Sequence, residues 1–136
     1  MTPRAALRTA AWATTLVLLS TTSHAASGAT PADLQRGAAI YERCVACHAF
    51  EYDRTGPRHC GLFGRRAGTV PGFQYSAAMR ESNIVWNEKT LDVFLKSPMT
   101  AVPGTSMGYA GIADAGEREA LIGYLKKEGK AARCRK

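Results

Sequence analysis

Cys44-Val45-Ala46-Cys47-His48 carries more information than any other stretch of the chain, and the way it is read decides the fold. Two thiols at this spacing, at the end of a helix, can add to the two vinyl groups of one haem. The histidine that follows can turn its imidazole onto the iron. Three other readings compete. A redox-active dithiol also uses Cys-x-x-Cys, but at a strand-to-helix junction within a βαβ unit, and no strand pattern flanks these residues. A zinc site could draw on Cys44, Cys47, His59 and Cys60, yet one Cys-x-x-Cys pair followed by an adjacent His-Cys matches no usual ligand spacing. A plain disulfide leaves His48 without a role. Haem attachment uses all three side chains.

The flanks read as helices and loops. Thr30-Pro31-Ala32-Asp33 supplies a cap, a proline at the first helical position and an acid in the first turn. Leu34, Ala38 and Tyr41 then mark one face of a helix predicted to run to about Cys44. Residues 53–74 are punctuated by glycine and proline and read as loop. A short helix follows at about 76–81. Asn87 caps another that contains Leu91, Phe94 and Leu95 and stops at Ser97-Pro98. Asp114-Ala115-Gly116-Glu117 opens a last helix with Leu121, Ile122, Tyr124 and Leu125 as its stripe and Gly129 as its end. No segment shows a period of two, so the expected class is all-α. Short helices and a glycine-rich middle make a thin core for the 111 residues from Ala26 onward, and chains this small often recruit a disulfide, a metal or a large apolar ligand.

The N-terminus reads as an address. Arg4 and Arg8 form a positive region, Ala10 to Ser20 is a short apolar stretch, and Ser23-His24-Ala25 offers small residues for a signal peptidase. The stretch is short for a retained anchor of about 20 residues. The expected organisation is therefore a cleaved leader over 1–25, a linker over 26–30 and one domain over 31–136, working in the periplasm, where disulfides are permitted.

An iron held by His48 needs a sixth ligand or an open position, and this choice separates a carrier from an enzyme. The candidates are Met79, Met99, Met107 and His59. Pro103-Gly104-Thr105-Ser106-Met107-Gly108 places Met107 in a turn-rich strap that can aim a thioether inward. Met79 and Met99 sit in or beside helices, where packing is the ordinary role. His59, between Arg58 and Cys60, reads as a surface or satisfied loop histidine. A soft thioether opposite imidazole favours ferrous iron, raises the reduction potential and excludes small molecules.

With these residues in view, the chain resembles the class I cytochromes c, the mitochondrial type and its soluble bacterial relatives, over about residues 31–128. The resemblance is carried by Cys44 to His48, Thr55-Gly56-Pro57, Gly61-Leu62-Phe63-Gly64-Arg65, Pro71-Gly72-Phe73-Gln74-Tyr75-Ser76, Trp86, Pro103 to Met107, and the last helix, all in the family's order. It implies one haem c bound through Cys44 and Cys47, with His48 and Met107 as axial ligands. It implies that the Pro57 carbonyl accepts the other ring N–H of His48. It implies that Arg65, Tyr75 and Trp86 hold a buried propionate, and that Gly37 and Tyr41 meet Leu121 and Tyr124. Phe94 stands where many relatives carry a tyrosine that donates to the methionine sulfur, which implies a slightly lower potential. Met79 stands where mitochondrial relatives often have a buried asparagine.

Cys60 and Cys134 remain. Their even number and the exported context point to a disulfide ahead of two free thiols, and in the family fold their segments lie near each other. Eighteen basic residues against eleven acidic give a net charge of +7, with the excess crowded into the C-terminal tail. A short basic tail on an exported protein offers no groove reader, so nucleic-acid binding is not expected. Met99, Thr100 and Ser106 occupy positions that are frequently lysine in the family, so a docking face would rest on Arg43, Arg54 and Lys96. The expected protein is a monomeric, soluble electron carrier and not an enzyme. It would run between a quinol-oxidising complex or periplasmic dehydrogenase and a terminal oxidase, reaction centre or reductase. A haem enzyme with an open sixth position and a haem-free zinc or thiol module are the alternatives.

Overall fold

Thr30 starts the first helix by satisfying backbone groups that a helix N-terminus leaves unpaired. Its hydroxyl accepts from the Asp33 N–H at 3.2 Å, and the Asp33 carboxylate accepts from the Thr30 N–H at 3.0 Å. The computed structural model describes residues 29–135, so the expected leader and most of the linker lie outside the described residues. Helix α1 spans Pro31–Tyr41 and stops short of Cys44, the end expected from periodicity. Beyond Tyr41 the bonds tighten: the Arg43 N–H donates to Ile40 and the Cys44 N–H to Tyr41. This i→i−3 pattern winds through the Cys-x-x-Cys segment until the His48 N–H returns to the Cys44 carbonyl at 2.9 Å. The buried face of α1 is Gly37, Ile40 and Tyr41, while Leu34 and Ala38 are only half-buried.

Four more helices follow: α2 (Ala77–Glu81), α3 (Glu88–Lys96), α4 (Pro98–Ala101) and α5 (Ala115–Glu128). Ser76 caps α2, and Asn87 and Thr90 form a reciprocal cap on α3. Ser97 ends α3 as expected, but Pro98 also opens the extra turn α4, because a fixed φ and a missing N–H suit a first helical position. Asp114 accepts from the Glu117 N–H at 2.7 Å. The Glu117 carboxylate does not complete a reciprocal cap; it takes two hydrogen bonds from Arg43, at 2.8 and 3.2 Å, across the α1–α5 pair. Among the described residues the only β pairing is an isolated bridge between Arg66 and Val85, so the class is all-α.

Helices α1 and α5 form the main helix pair, and a glycine sets their distance. A Cβ on Gly37 would lie 2.2 Å from the Ala120 carbonyl oxygen and 2.6 Å from Tyr124 Cβ. Gly37 therefore packs against Ala120 and Tyr124, and Leu121 is fully buried. The Tyr41 and Tyr124 rings pack with centroids 5.5 Å apart.

The segment 102–114 returns from α4 to α5 as a strap. It is tied down at Ile112, whose N–H donates to Leu95 at 2.9 Å, and at buried Arg118, which reaches the carbonyls of Ile112 and Ala113 and the Asp92 carboxylate. A Cβ on Gly111 would fall 2.2 Å from the Lys96 carbonyl oxygen, and its φ is +98°, so glycine alone fits there. At the C-terminus the sulfurs of Cys60 and Cys134 lie within bonding distance, with Cα atoms 5.1 Å apart and a sequence separation of 74. Arg133 stacks its guanidinium 4.5 Å over the Phe50 ring beside them.

Candidate haem site

Between α1, α3, α5 and the two loop segments lies a cavity of about 400 Å³. Its walls are largely apolar, with Leu62, Met79, Trp86, Leu91, Phe94 and Leu121 among them, and Phe94 packs on Trp86 at 5.0 Å. A small chain has no reason to leave such walls facing one another across open space. The lining also holds soft and polar groups at its edges: the thiols of Cys44 and Cys47, the imidazoles of His48 and His59, the Met107 thioether and the Arg65 guanidinium.

His48 is buried, and its Nδ1 lies 2.7 Å from the Pro57 carbonyl oxygen, so Nδ1 carries the proton and Nε2 is the nitrogen left to bind a metal. Burial lowers its pKa, with the Pro57 contact opposing the shift. The Gly56 backbone lies so close that a Cβ there would meet three ring atoms at 2.4–2.7 Å. Cys44 is half-buried, and burial pushes its thiol up to about 11; Cys47 is exposed. Met107 comes from the strap, with its N–H donating to the Thr105 hydroxyl at 3.3 Å.

Arg65, Tyr75 and Trp86 line the cavity together. Arg65 donates to the carbonyls of Cys60 and Arg58 at 2.9 and 3.0 Å, which fixes the guanidinium at the cavity wall, and burial lowers its pKa. Burial raises the pKa of the Tyr75 phenol. These groups suit an anionic edge of a bound molecule, because donors already held in place offset the desolvation of a carboxylate.

The other candidate ligands separate cleanly. Met99 is 62% exposed and stands outside the cavity lining. Met79 is a wall residue of α2, as its helical setting forecast. His59 is half-buried and satisfied, with the Tyr41 hydroxyl 3.1 Å from its Nδ1. Its ring stacks on His48 with centroids 4.3 Å apart and 19° between planes, so it cannot oppose His48 across an iron. Burial, then His48 and Arg65, hold its pKa well below the usual histidine range. Nothing in the spacing of His59 announced this contact. Among the described residues no three His, Cys, Asp or Glu side chains group as a metal-ion set.

An apolar slot with two thiols and an imidazole on one side and a thioether on a separate strap fits an iron porphyrin. Fold and site together define a c-type haem protein of the all-α class. No protein-family model matches the chain. Individual relatives do: it is 41% identical over 99 residues to cytochrome c 2.1 of Caenorhabditis elegans, covering 71% of this chain and 89% of that one. It is also 41% identical over 113 residues to cytochrome c of Chlamydomonas reinhardtii, covering 80% and 97%. Among solved structures, cytochrome cH from Methylobacterium extorquens superposes with a TM-score of 0.68 at 35% identity, covering 70% of this chain and 98% of that one. The chain belongs to the class I cytochrome c family. It is a haem electron carrier, not an enzyme. No helix among the described residues is long and apolar enough to cross a membrane.

Proposed function

We propose that the chain would hold one haem through thioether bonds from Cys44 and Cys47, with His48 Nε2 and the Met107 sulfur as the two groups that would bind its iron. The observation that carries this reading is the shared cavity: His48, fixed by Pro57, and Met107, delivered by the strap, line one apolar space with both thiols. Haem bound there supplies a one-electron Fe(III)/Fe(II) couple. The chain does the rest. The Pro57 carbonyl orients His48 and raises its basicity. The Met107 thioether favours the ferrous state and fills the position that a small molecule would need. Arg65, Tyr75 and Trp86 receive the propionate, and the apolar walls keep water from the metal.

The test is the visible spectrum of the haem-matured protein in both oxidation states. Sharp ferrous bands with a far-red ferric band from sulfur ligation are expected, and carbon monoxide should leave the ferrous spectrum unchanged. Met107→Ala should keep the attached haem, lose the far-red band and bind carbon monoxide. A wild-type protein that binds the gas as readily as this variant would overturn the ligand assignment and favour an open sixth position.

The remaining parts of the reading concern the whole chain. The leader over 1–25 is removed on export, the linker over 26–30 precedes the domain over 31–136, and the monomer works in the periplasm. There it takes electrons from a quinol-oxidising complex or a dehydrogenase and gives them to an oxidase, reaction centre or reductase. The supports are the Arg4/Arg8 region, the short apolar stretch and the small residues before Ala26. The N-terminal sequence of the exported protein checks the cleavage.

Cys60 and Cys134 form a disulfide in that compartment, a reading supported by their facing sulfurs. Cys134→Ser should therefore lower stability by about 2–4 kcal/mol, because the bridge restricts a long loop of the unfolded chain. Denaturant titration without reductant measures the loss. Reducing the wild-type protein should bring it down to the variant, and equal midpoints under oxidising conditions would show two free thiols.

A further inference from the structure

The orientation of a histidine ring about its Cβ–Cγ bond is poorly fixed by its own torsional preference, which is broad and roughly two-fold. Neighbours must set it. For His48 the Pro57 carbonyl holds one ring nitrogen at 2.7 Å, and the Gly56 backbone lies over the ring near Cε1, where a Cβ would fall 2.4–2.7 Å from three ring atoms. A single hydrogen bond still lets a ring rock about the bonded nitrogen. Beside the Gly56 backbone, a second ring limits this freedom: His59 lies nearly parallel to His48, at 19° with centroids 4.3 Å apart.

His59 is itself held on several sides. The Tyr41 hydroxyl hydrogen-bonds its Nδ1 at 3.1 Å, and Phe50 meets it edge-on at 76°. Its N–H donates to the Ala49 carbonyl at 3.0 Å, and the next N–H, that of Cys60, donates to Phe50 at 2.8 Å. A flat ring clamped in this way admits one orientation of a second flat ring against it, whereas an aliphatic side chain would admit a range. Tyr41, on α1, holds His59, and Pro57, in the following loop, holds His48 directly, so two separate parts of the fold bear on His48, one of them through His59.

We propose that His59 is a positioning residue for His48: stacked on its face and anchored by Tyr41, it fixes the plane that the His48 imidazole presents to the metal. This rests on His48 being the haem ligand. It adds to the hydrogen bond from Pro57 a second, independent restraint that acts at right angles to the ring.

The test compares the ferric holoprotein with its His59→Leu, His59→Phe and Tyr41→Phe variants by proton NMR. The spread and order of the four haem-methyl resonances report the plane of the axial imidazole. His59→Leu is expected to change the spread or order of these resonances. His59→Phe should retain the wild-type order because it keeps a flat face, and Tyr41→Phe should shift the pattern toward that of the leucine variant by a smaller amount. A leucine variant with the wild-type pattern and only a lower thermal midpoint would overturn the proposal, since His59 would then merely fill space. An equal change in the leucine and phenylalanine variants would overturn it too. If the His59 variants do not fold, Tyr41→Phe decides, and an unaltered pattern there overturns the anchoring. A wild-type protein with no haem-methyl resonances is a different failure, because it refutes the haem assignment and takes this proposal with it.

Discussion

Gly37→Ala is expected to destabilise the protein by about 3 kcal/mol or more, the upper end of what overpacking ordinarily costs. The added methyl would meet the Ala120 carbonyl oxygen at 2.2 Å and its carbonyl carbon at 2.8 Å, which are backbone atoms of a packed helix and cannot turn aside as a side-chain tip can. Relief requires α1 and α5 to separate along their length, and that uncovers Tyr41 and Leu121. Gly123, on the same helix as Ala120, provides the control. A Cβ there meets only the Ala29 methyl at 3.1 Å, just ahead of the first helix. Because alanine is favoured over glycine within a helix by up to about 1 kcal/mol, Gly123→Ala should be neutral or stabilising. Guanidinium titrations of the two holoproteins measure both. Similar midpoints for the two variants would show that the helix pair tolerates a wider spacing than its contacts imply.

Gly56→Ala is the second large effect, and it falls on the site rather than on the fold. A Cβ at this position would overlap Cε1, Nε2 and Nδ1 of His48, so the ring has to turn and give up its 2.7 Å contact with Pro57. Loss of a partner that orients a metal ligand lowers activity by about 10–100-fold. Electron transfer to a fixed small oxidant, followed by stopped flow, should slow by at least about tenfold on that basis. The far-ultraviolet circular dichroism should stay near wild type, since Gly56 lies in no helix. A variant with unchanged rate and an unchanged ferric spectrum would mean that the ring has more room than the backbone suggests.

Much of this molecule could be read from residue types and spacing. Thr30, Asn87 and Asp114 each cap the helix expected of them, because a short side-chain acceptor before a helix answers a local need of the backbone. The Cys-x-x-Cys-His segment and the strap methionine stood out because ligand chemistry restricts which residues can serve, and their side chains line one cavity. What spacing could not supply were contacts decided by the third dimension. Periodicity extended α1 to Cys44, while the actual end reflects a tightening at Tyr41 that leads into the attachment segment. Pro98 read as a stop, although a proline that ends one helix can begin the next. His59 looked like an ordinary loop histidine because its partners, Tyr41 and His48, approach it from different turns of the chain. Arg118 gave no signal either, yet it binds the strap to α3 and α5 through Asp92, Ile112 and Ala113.

The pairing of α1 with α5 also governs how the chain reaches this state. The two helices stand at opposite ends of the described sequence, so their contact closes nearly the longest loop available, an entropic toll that must be met before Gly37 gains any partner. Synthesis delivers α5 after the rest of the cavity wall. Until then α1 has only an unoccupied glycine face, and the cavity lacks the wall that Leu121 and Leu125 contribute. Assembly is thus all-or-none rather than piecemeal, and truncating the chain before α5 should leave no partial domain behind.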